Sequence, residues 1–280
     1  MGNVYFEKTD DYYIRDDENV KVNIFLNANR VEIRNSSNQS NNLLKFKKIK
    51  DNKFVDIETG EIRQYKINEH KSEESLKKSL KKAKLILQNN FFGRKNELFI
   101  TLTYADLTYD IDAINRDFKN FWKKLKRRNK NLEYFYVIEF QNRNCAHMHL
   151  LIKDMSGKSL FIEEQEIRKL WGKGYIFVEK TNKRIIEEYF YFDYSKSNIE
   201  NLIDYMVKEE TKEMIPSNKK VYSKSRGIVA PKTVTMKSGE AEKMLNEKNY
   251  VLINQKAFMV KSENGNTLNT IKIKSYKLKK

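Results

Sequence analysis

The run "AHMHLLI" (146–152) holds two of the chain's three histidines, His147 and His149, one residue apart among apolar neighbours. On a strand, residues two apart share a face, so both imidazoles project side by side while Met148, Leu150 and Ile152 turn to the other face. Paired neutral imidazoles can hold a divalent metal or move protons. They can equally be core histidines satisfied by their neighbours. The preceding run, "YFYVIEF" (134–140), is separated from this one only by "QNRNC", which reads as an antiparallel hairpin. Pairing symmetrically about Arg143 makes partner numbers sum to 286, setting Glu139 across from His147 and Val137 across from His149. Cross-strand partners share a face. Glu139 therefore joins both histidines on a patch bordered by Val137 and Phe135, where a lone carboxylate is costly to bury. Two imidazoles and a carboxylate suit Mn²⁺ or Mg²⁺, with positions left for phosphate oxygens and water. The alternative is that Glu139 is a surface acid at a strand end.

The composition says what such a patch would meet. Lys and Arg outnumber Asp and Glu 55 to 38 over 280 residues, a net charge of +17. Some of that excess fits an AT-rich codon bias, but the field still attracts polyanions, with nucleic acid first and an anionic membrane second. No apolar stretch approaches about 18 residues and no signal peptide is visible, so a soluble cytoplasmic protein without a membrane partner is expected. Cys145 is the only cysteine, which excludes an intrachain disulfide and a thiolate zinc cage. No GxxxxGK[ST] phosphate loop is present.

A metal patch on a basic protein points to phosphodiester chemistry, because a divalent ion polarises the scissile phosphate. A nucleophile is then needed. "DYMVK" offers Tyr205 and Lys208 at helical spacing i and i+3, on one flank. A phenol with a pKa near 10 attacks poorly unless a metal-bound phosphate and an ammonium assist. Tyr5–Lys8 and Tyr276–Lys279 repeat the spacing, and the chain has 16 tyrosines. Only "NIENLIDYMVKEETK" (198–212) reads as a helix beyond the strands of the patch, with Tyr205 at the margin of its apolar side. That margin suits a cleft and also an ordinary core-edge tyrosine.

The surrounding elements alternate. A strand-rich stretch covers 1–68 and an amphipathic helix follows, with Ser72 at its start and Leu76, Leu80, Ala83 and Leu87 on one side. His70, in a charged segment before it, reads as a surface histidine. "LFITLTY" (98–104) is strand-like. A helix capped by Asp112 carries Ile114, Phe118, Phe121, Trp122 and Leu125 inward. Another helix is expected near 163–171, a strand at 175–180, and a short helix near 238–247. Strands separated by helices, with one tight hairpin, predict an α+β fold built on an antiparallel sheet. The chain is read as an N-terminal extension (1–68), a catalytic domain (69–236) and a basic C-terminal extension (237–280).

At this point the chain resembles the HUH endonucleases, in particular the rolling-circle replication initiators (Rep proteins) of plasmids and small circular replicons. "FITLTY" (99–104) is similar to their first motif, His147-Met148-His149 to the second, and Tyr205 with Lys208 to the third; Glu139 stands where an upstream acid completes the metal site in several Reps. "VYSKSRGIVAPK" looks like the segment that ends this domain in many plasmid Reps. The resemblance covers about residues 75–235. Asn144 and Cys145 depart from the small residues usual before the first histidine, and no superfamily-3 helicase domain follows. It implies a five-stranded antiparallel sheet with helices on both faces and the histidine pair on a central strand. It also implies attack by Tyr205 on single-stranded or extruded origin DNA, giving a 5′-phosphotyrosine and a free 3′-OH, with Lys208 positioning the phosphate. The missing helicase points to a bacterial plasmid or phage and a recruited host helicase. "KNFWKKLKRRNK" (119–130) has seven basic residues and no acid. Lys123, Lys124, Lys126, Arg127 and Arg128 are therefore DNA-contact candidates, Lys224 and Arg226 are others, and Trp122 is expected to pack inward. The same chemistry serves conjugative relaxases and tyrosine transposases, though relaxases usually supply three histidines. A non-catalytic DNA-binding regulator and a metal oxygenase are readings of a different class. Whether a dimer supplies a second tyrosine is left open.

Overall fold

The computed structural model describes residues 4–26, 29–37, 46–49, 53–57, 59–64, 73–140, 146–181, 198–209, 212, 215–216, 218–262 and 264–279. The connection at 141–145, the surface position expected for His70 and the Ser72 helix start lie outside them. The chain divides into two units, residues 66–230 and residues 1–65 with 231–280.

The second of these begins with β1 (Val4–Thr9), β2 (Asn19–Ile24), β3 (Arg30–Ser36), β4 (Phe46–Lys48), β5 (Lys53–Asp56) and β6 (Ile62–Gln64). Residues 66–230 then supply α1 (Glu73–Asn90), β7 (Glu97–Thr103), α2 (Ile111–Arg128), β8 (Leu132–Phe140), β9 (Ala146–Asp154), α3 (Glu164–Trp171), β10 (Ile176–Lys180), α4 (Asn198–Met206) and β11 (Tyr222–Lys224). Residues 231–280 then add β12 (Lys232–Lys237), α5 (Ser238–Glu247), β13 (Tyr250–Ser262) and β14 (Thr267–Leu278).

In residues 66–230 the strands form one antiparallel sheet in the order β10-β7-β9-β8-β11, which puts β9 and its two histidines at the centre. Period-two alternation gives it two different faces. Phe99, Phe135, Val137 and Leu151 pack with Ile86 and Leu87 of α1 and with Ile199, Leu202 and Ile203 of α4. On the reverse face Ile100, Tyr136, Ile138, Met148 and Leu150 pack with α2 and α3. The architecture is thus α+β with helices on both faces of a five-stranded antiparallel sheet.

Two local devices hold the two ends of β7, the strand that carries the threonines beside the histidines. The buried Glu97 carboxylate accepts the backbone N–H groups of Phe92, Gly93 and Arg94 at 2.9, 2.8 and 3.2 Å, fixing the turn into the strand. At the other end Trp171 Nε1 donates to Thr103 O at 3.0 Å, and Gly174 passes so close that a Cβ there would lie 2.3 Å from Thr103 O. Only glycine fits that approach.

Two expectations are corrected. Helix α2 is capped by Asp110, whose carboxylate accepts from Asp112 N at 2.8 Å, so Asp112 lies in the first turn rather than at the cap. Helix α4 ends at Met206 instead of running to 212, so Tyr205 is helical and Lys208 follows in a turn closed by Lys208 N donating to Tyr205 O at 3.2 Å. Strands β1–β3 and β12–β14 of the two flanks interleave in one six-stranded sheet ordered β1-β13-β14-β3-β2-β12, with α5 packed through Ala241 and Leu245 on Val20, Val22, Val31 and Ile33, while β4, β5 and β6 form a three-stranded sheet of their own. Pairings such as Val4 with Ser262 join the two ends of the sequence, a distance at which composition carries no signal.

Candidate active site

The strand register follows from the hairpin. Glu139 pairs with His147 and Val137 with His149 across β8 and β9, while Thr103 and Thr101 of β7 pair with the same two histidines from the other side. Because cross-strand partners share a face, three strands deliver two threonines, two imidazoles and one carboxylate to one patch.

Hydrogen bonds fix the ring orientations. Thr103 Oγ1 lies 3.2 Å from His147 Nδ1, and Thr101 Oγ1 lies 3.2 Å from His149 Nδ1. With Nδ1 of each ring engaged by a hydroxyl, Nε2 is the nitrogen left to face a ligand or proton partner. His149 Nε2 is 3.0 Å from Glu139 Oε2, and the pair is buried, at 2% and 3% exposure. Phe99 stacks along the His149 ring with centroids 5.9 Å apart and planes within 10°. His147 is half-buried; burial, followed by its neighbour His149, lowers its pKa against the opposing pull of Glu139.

The tyrosine arrives from α4. Its helix buries Ile199, Leu202, Ile203 and Met206 against the sheet, which leaves Tyr205 half-buried on the flank above the patch. Tyr205 Oη lies 3.1 Å from His149 Nε2, and the two rings meet edge to face at 4.9 Å. Burial, reinforced by the Glu139 charge, raises the Tyr205 pKa above the ordinary phenol value. Positive charge near the phenol oxygen is what would make it ionise.

The ammonium nearest the carboxylate is one the sequence did not single out. Lys212 is fully buried, its Nζ donating to Lys208 O at 2.7 Å and lying 3.9 Å from Glu139 Oε2. Burial lowers its pKa to about 8, with Glu139 opposing the shift and Lys208 adding to it. The side chain of Lys208 is exposed. "KEETKEM" reads as a solvated charge run, so only the helix end at Met206, which turns the chain back, reveals Lys212. Thr101 and Thr103 were legible as part of a strand motif but not as partners of the histidines.

The basic candidates fall elsewhere. Lys126 pairs with Glu133 at 2.9 Å and Arg128 with Glu166 at 2.7 Å. Lys224 Nζ donates to Ile228 O at 2.6 Å, whereas Lys123, Lys124, Arg127 and Arg226 are exposed. Trp122 packs against the core on the α2 side of the sheet and stays half-buried.

Residues 97–214 match the family model of replication-associated protein ORF2/G2P. That segment runs from β7 past α4 and contains Thr101, Thr103, Glu139, His147, His149, Tyr205, Lys208 and Lys212. It is under half of the 280-residue chain. No curated protein matches the chain. No helix among the described residues is long and apolar enough to cross a membrane.

Among the described residues, no three His, Cys, Asp or Glu side chains already converge as a metal cage. The donor chemistry nevertheless fits a divalent ion. Ligands at right angles on an Mg²⁺-like ion stand roughly 3 Å apart, the spacing of His149 Nε2 from Glu139 Oε2 (3.0 Å). His147 lies two residues away on the same face, with Thr103 behind its Nδ1.

Proposed function

We propose that this protein nicks and rejoins single-stranded origin DNA through a covalent link to Tyr205 and so starts rolling-circle replication of a plasmid or phage. One observation carries the reading. A phenol on α4 meets the imidazole of β9 at 3.1 Å, and that imidazole meets the carboxylate of β8 at 3.0 Å. The match of this segment to a replication-associated family supports it independently.

In the reaction Tyr205 Oη forms a bond to phosphorus while the bond from phosphorus to the 3′-oxygen breaks. The proton lost by the phenol is matched by the one the 3′-oxygen gains, so the step conserves bond energy and needs no ATP. His147, His149 and Glu139 would hold Mn²⁺ or Mg²⁺, which when bound polarises the scissile phosphate. His149, held by Thr101, orients the Tyr205 hydroxyl. Lys212 sets the charge balance at Glu139, which would otherwise be buried beside a phenol that must become negative. Lys208, exposed just beyond α4, reaches toward the DNA backbone. Reversal of the same step rejoins the circle. The partners are single-stranded or extruded origin DNA and a host helicase, in the cytoplasm of a bacterial host.

The test is incubation of the protein with origin-derived single-stranded oligonucleotides and Mn²⁺. Wild type is expected to give a denaturation-resistant adduct and Tyr205→Phe none, with binding nearly intact; nicking at the wild-type rate by that variant would rule out the assigned nucleophile. A second reading, a DNA-binding regulator that retains the fold, is favoured by the way His149, Glu139 and Tyr205 satisfy one another in a buried network; it predicts binding without adduct from either protein. A relaxase or transposase would give the adduct but act on a transfer origin or an element end.

A further inference from the structure

The reverse face of the same sheet carries a feature that the nicking chemistry does not use. Tyr134 and Tyr136 alternate with Phe135 and Val137 along β8, and Val137 is paired with His149, so the two tyrosines point away from the active-site patch. There they meet α2. Trp122 and Tyr134 pack edge to face at 4.7 Å, Phe118 lies flat behind Trp122 at 6.2 Å, and Tyr134 stacks on Tyr136 at 5.8 Å. Two adjoining cavities of about 440 and 450 Å³, which share Phe118, Lys119 and Tyr134 in their walls, run along this aromatic row.

Cations border the row along α2. Lys119, Lys123 and Arg127 recur every four residues on α2, a stripe about 12 Å long at 1.5 Å rise per residue. Lys130 extends it, and Lys219 and Lys220 line the cavity that also holds Tyr136. Among the described residues no carboxylate pairs with Lys119, Lys123, Arg127 or Lys130. The one acid in the lining, Asp112, is paired with Lys219. Half-buried rings beside a row of unneutralised cations form a surface for a polyanion that also presents flat faces. An acidic peptide would use the charge but not the rings, and a duplex would keep its bases stacked inside.

We propose that this groove binds single-stranded DNA, with bases against Trp122 and Tyr134 and phosphates on the α2 stripe. The site would hold a strand on the far side of the sheet from Tyr205, keeping one flank of the origin captured while the other is cut. Stacking and backbone neutralisation together are how non-specific single-strand sites gain affinity. The groove is argued from its own residues and does not depend on the nicking reading.

The test uses full-length protein carrying Tyr205→Phe, so that nothing is cleaved, and a fluorescent oligo-dT titrated across a salt series. The combined change Lys119→Gln, Lys123→Gln and Arg127→Gln alters only exposed positions. It is expected to weaken binding at least tenfold at 100 mM salt and to flatten the log–log salt slope by about two, the loss of three single-strand phosphate contacts. Quenching of indole fluorescence by oligo-dT is expected to disappear in Trp122→Phe, where only the buried Trp171 remains. An unchanged affinity and slope in a triple variant with a wild-type circular dichroism spectrum would overturn the proposal. So would loss of binding to duplex DNA and heparin as large as the loss for oligo-dT, because charge alone would then explain it. Separately, adduct formation by the same triple variant with Tyr205 intact, at saturating DNA, reports on nicking alone.

Discussion

The two faces of the five-stranded sheet are made of the same strands and solve opposite problems. On one face His149 and Glu139 are all but excluded from solvent, and both ring nitrogens of His149 are met by groups from other elements. On the other, one helix presents exposed cations beside half-buried rings, each contributing largely by itself. A buried network acts as a unit, since removing one member strands the rest in low dielectric. A surface row is additive and screened by salt. The difference teaches that changes of similar chemical size should have very different consequences on the two faces.

The largest effect should come from the network. Replacing His149 by alanine, or chelating the divalent ion, is expected to reduce adduct formation by more than about a hundredfold, above the range seen for mere supporting partners of metal ligands. Quantitative gel analysis of oligonucleotide adducts reads this, and a loss of only a few-fold would erase the contrast between the faces. Next comes Lys212→Met, which removes the buried ammonium 3.9 Å from Glu139. It should lower unfolding stability by about 3 kcal/mol, with the double change Lys212→Met and Glu139→Gln recovering part of it. The parallel change Lys123→Met on the groove side should stay within about 0.5 kcal/mol. Denaturant melts of the variants make the comparison directly, and equal losses would break it.

How much of this was legible follows from which contacts are local. A five-residue connection between two apolar runs fixes the hairpin register, so the facing of Glu139 to His147 could be read from spacing alone. Central placement of the histidine strand came from the resemblance and is seen in the sheet order. Lys212 was hidden because it sits in a charge-rich run, whereas the chain turns at Met206 and folds that residue into the interior. The cap at Asp110 was missed in favour of Asp112 because both precede apolar positions and only backbone geometry separates them. The joining of the N- and C-terminal strands rests on pairings more than two hundred residues apart, such as Lys8 with Phe258, for which no local pattern exists.

A finer effect sharpens the contrast. Thr103→Val keeps shape but removes the hydroxyl at His147 Nδ1, and roughly tenfold weaker divalent-ion affinity is expected with little change in stability; isothermal titration with Mn²⁺ would show it. The smallest effect belongs to single groove changes such as Lys123→Gln alone, about two- to threefold in oligo-dT affinity at moderate salt and fading as salt rises.

The central claim is that the Tyr205 oxygen is the atom that takes the phosphate. Digesting the denatured adduct with protease and nuclease and sequencing the modified peptide by mass spectrometry tests it most directly. The account predicts a nucleotide on the peptide containing Tyr205, joined through its 5′-phosphate, with the released strand ending in a 3′-hydroxyl. A nucleotide on any other tyrosine, or cleavage that leaves no nucleotide on the protein, would contradict it.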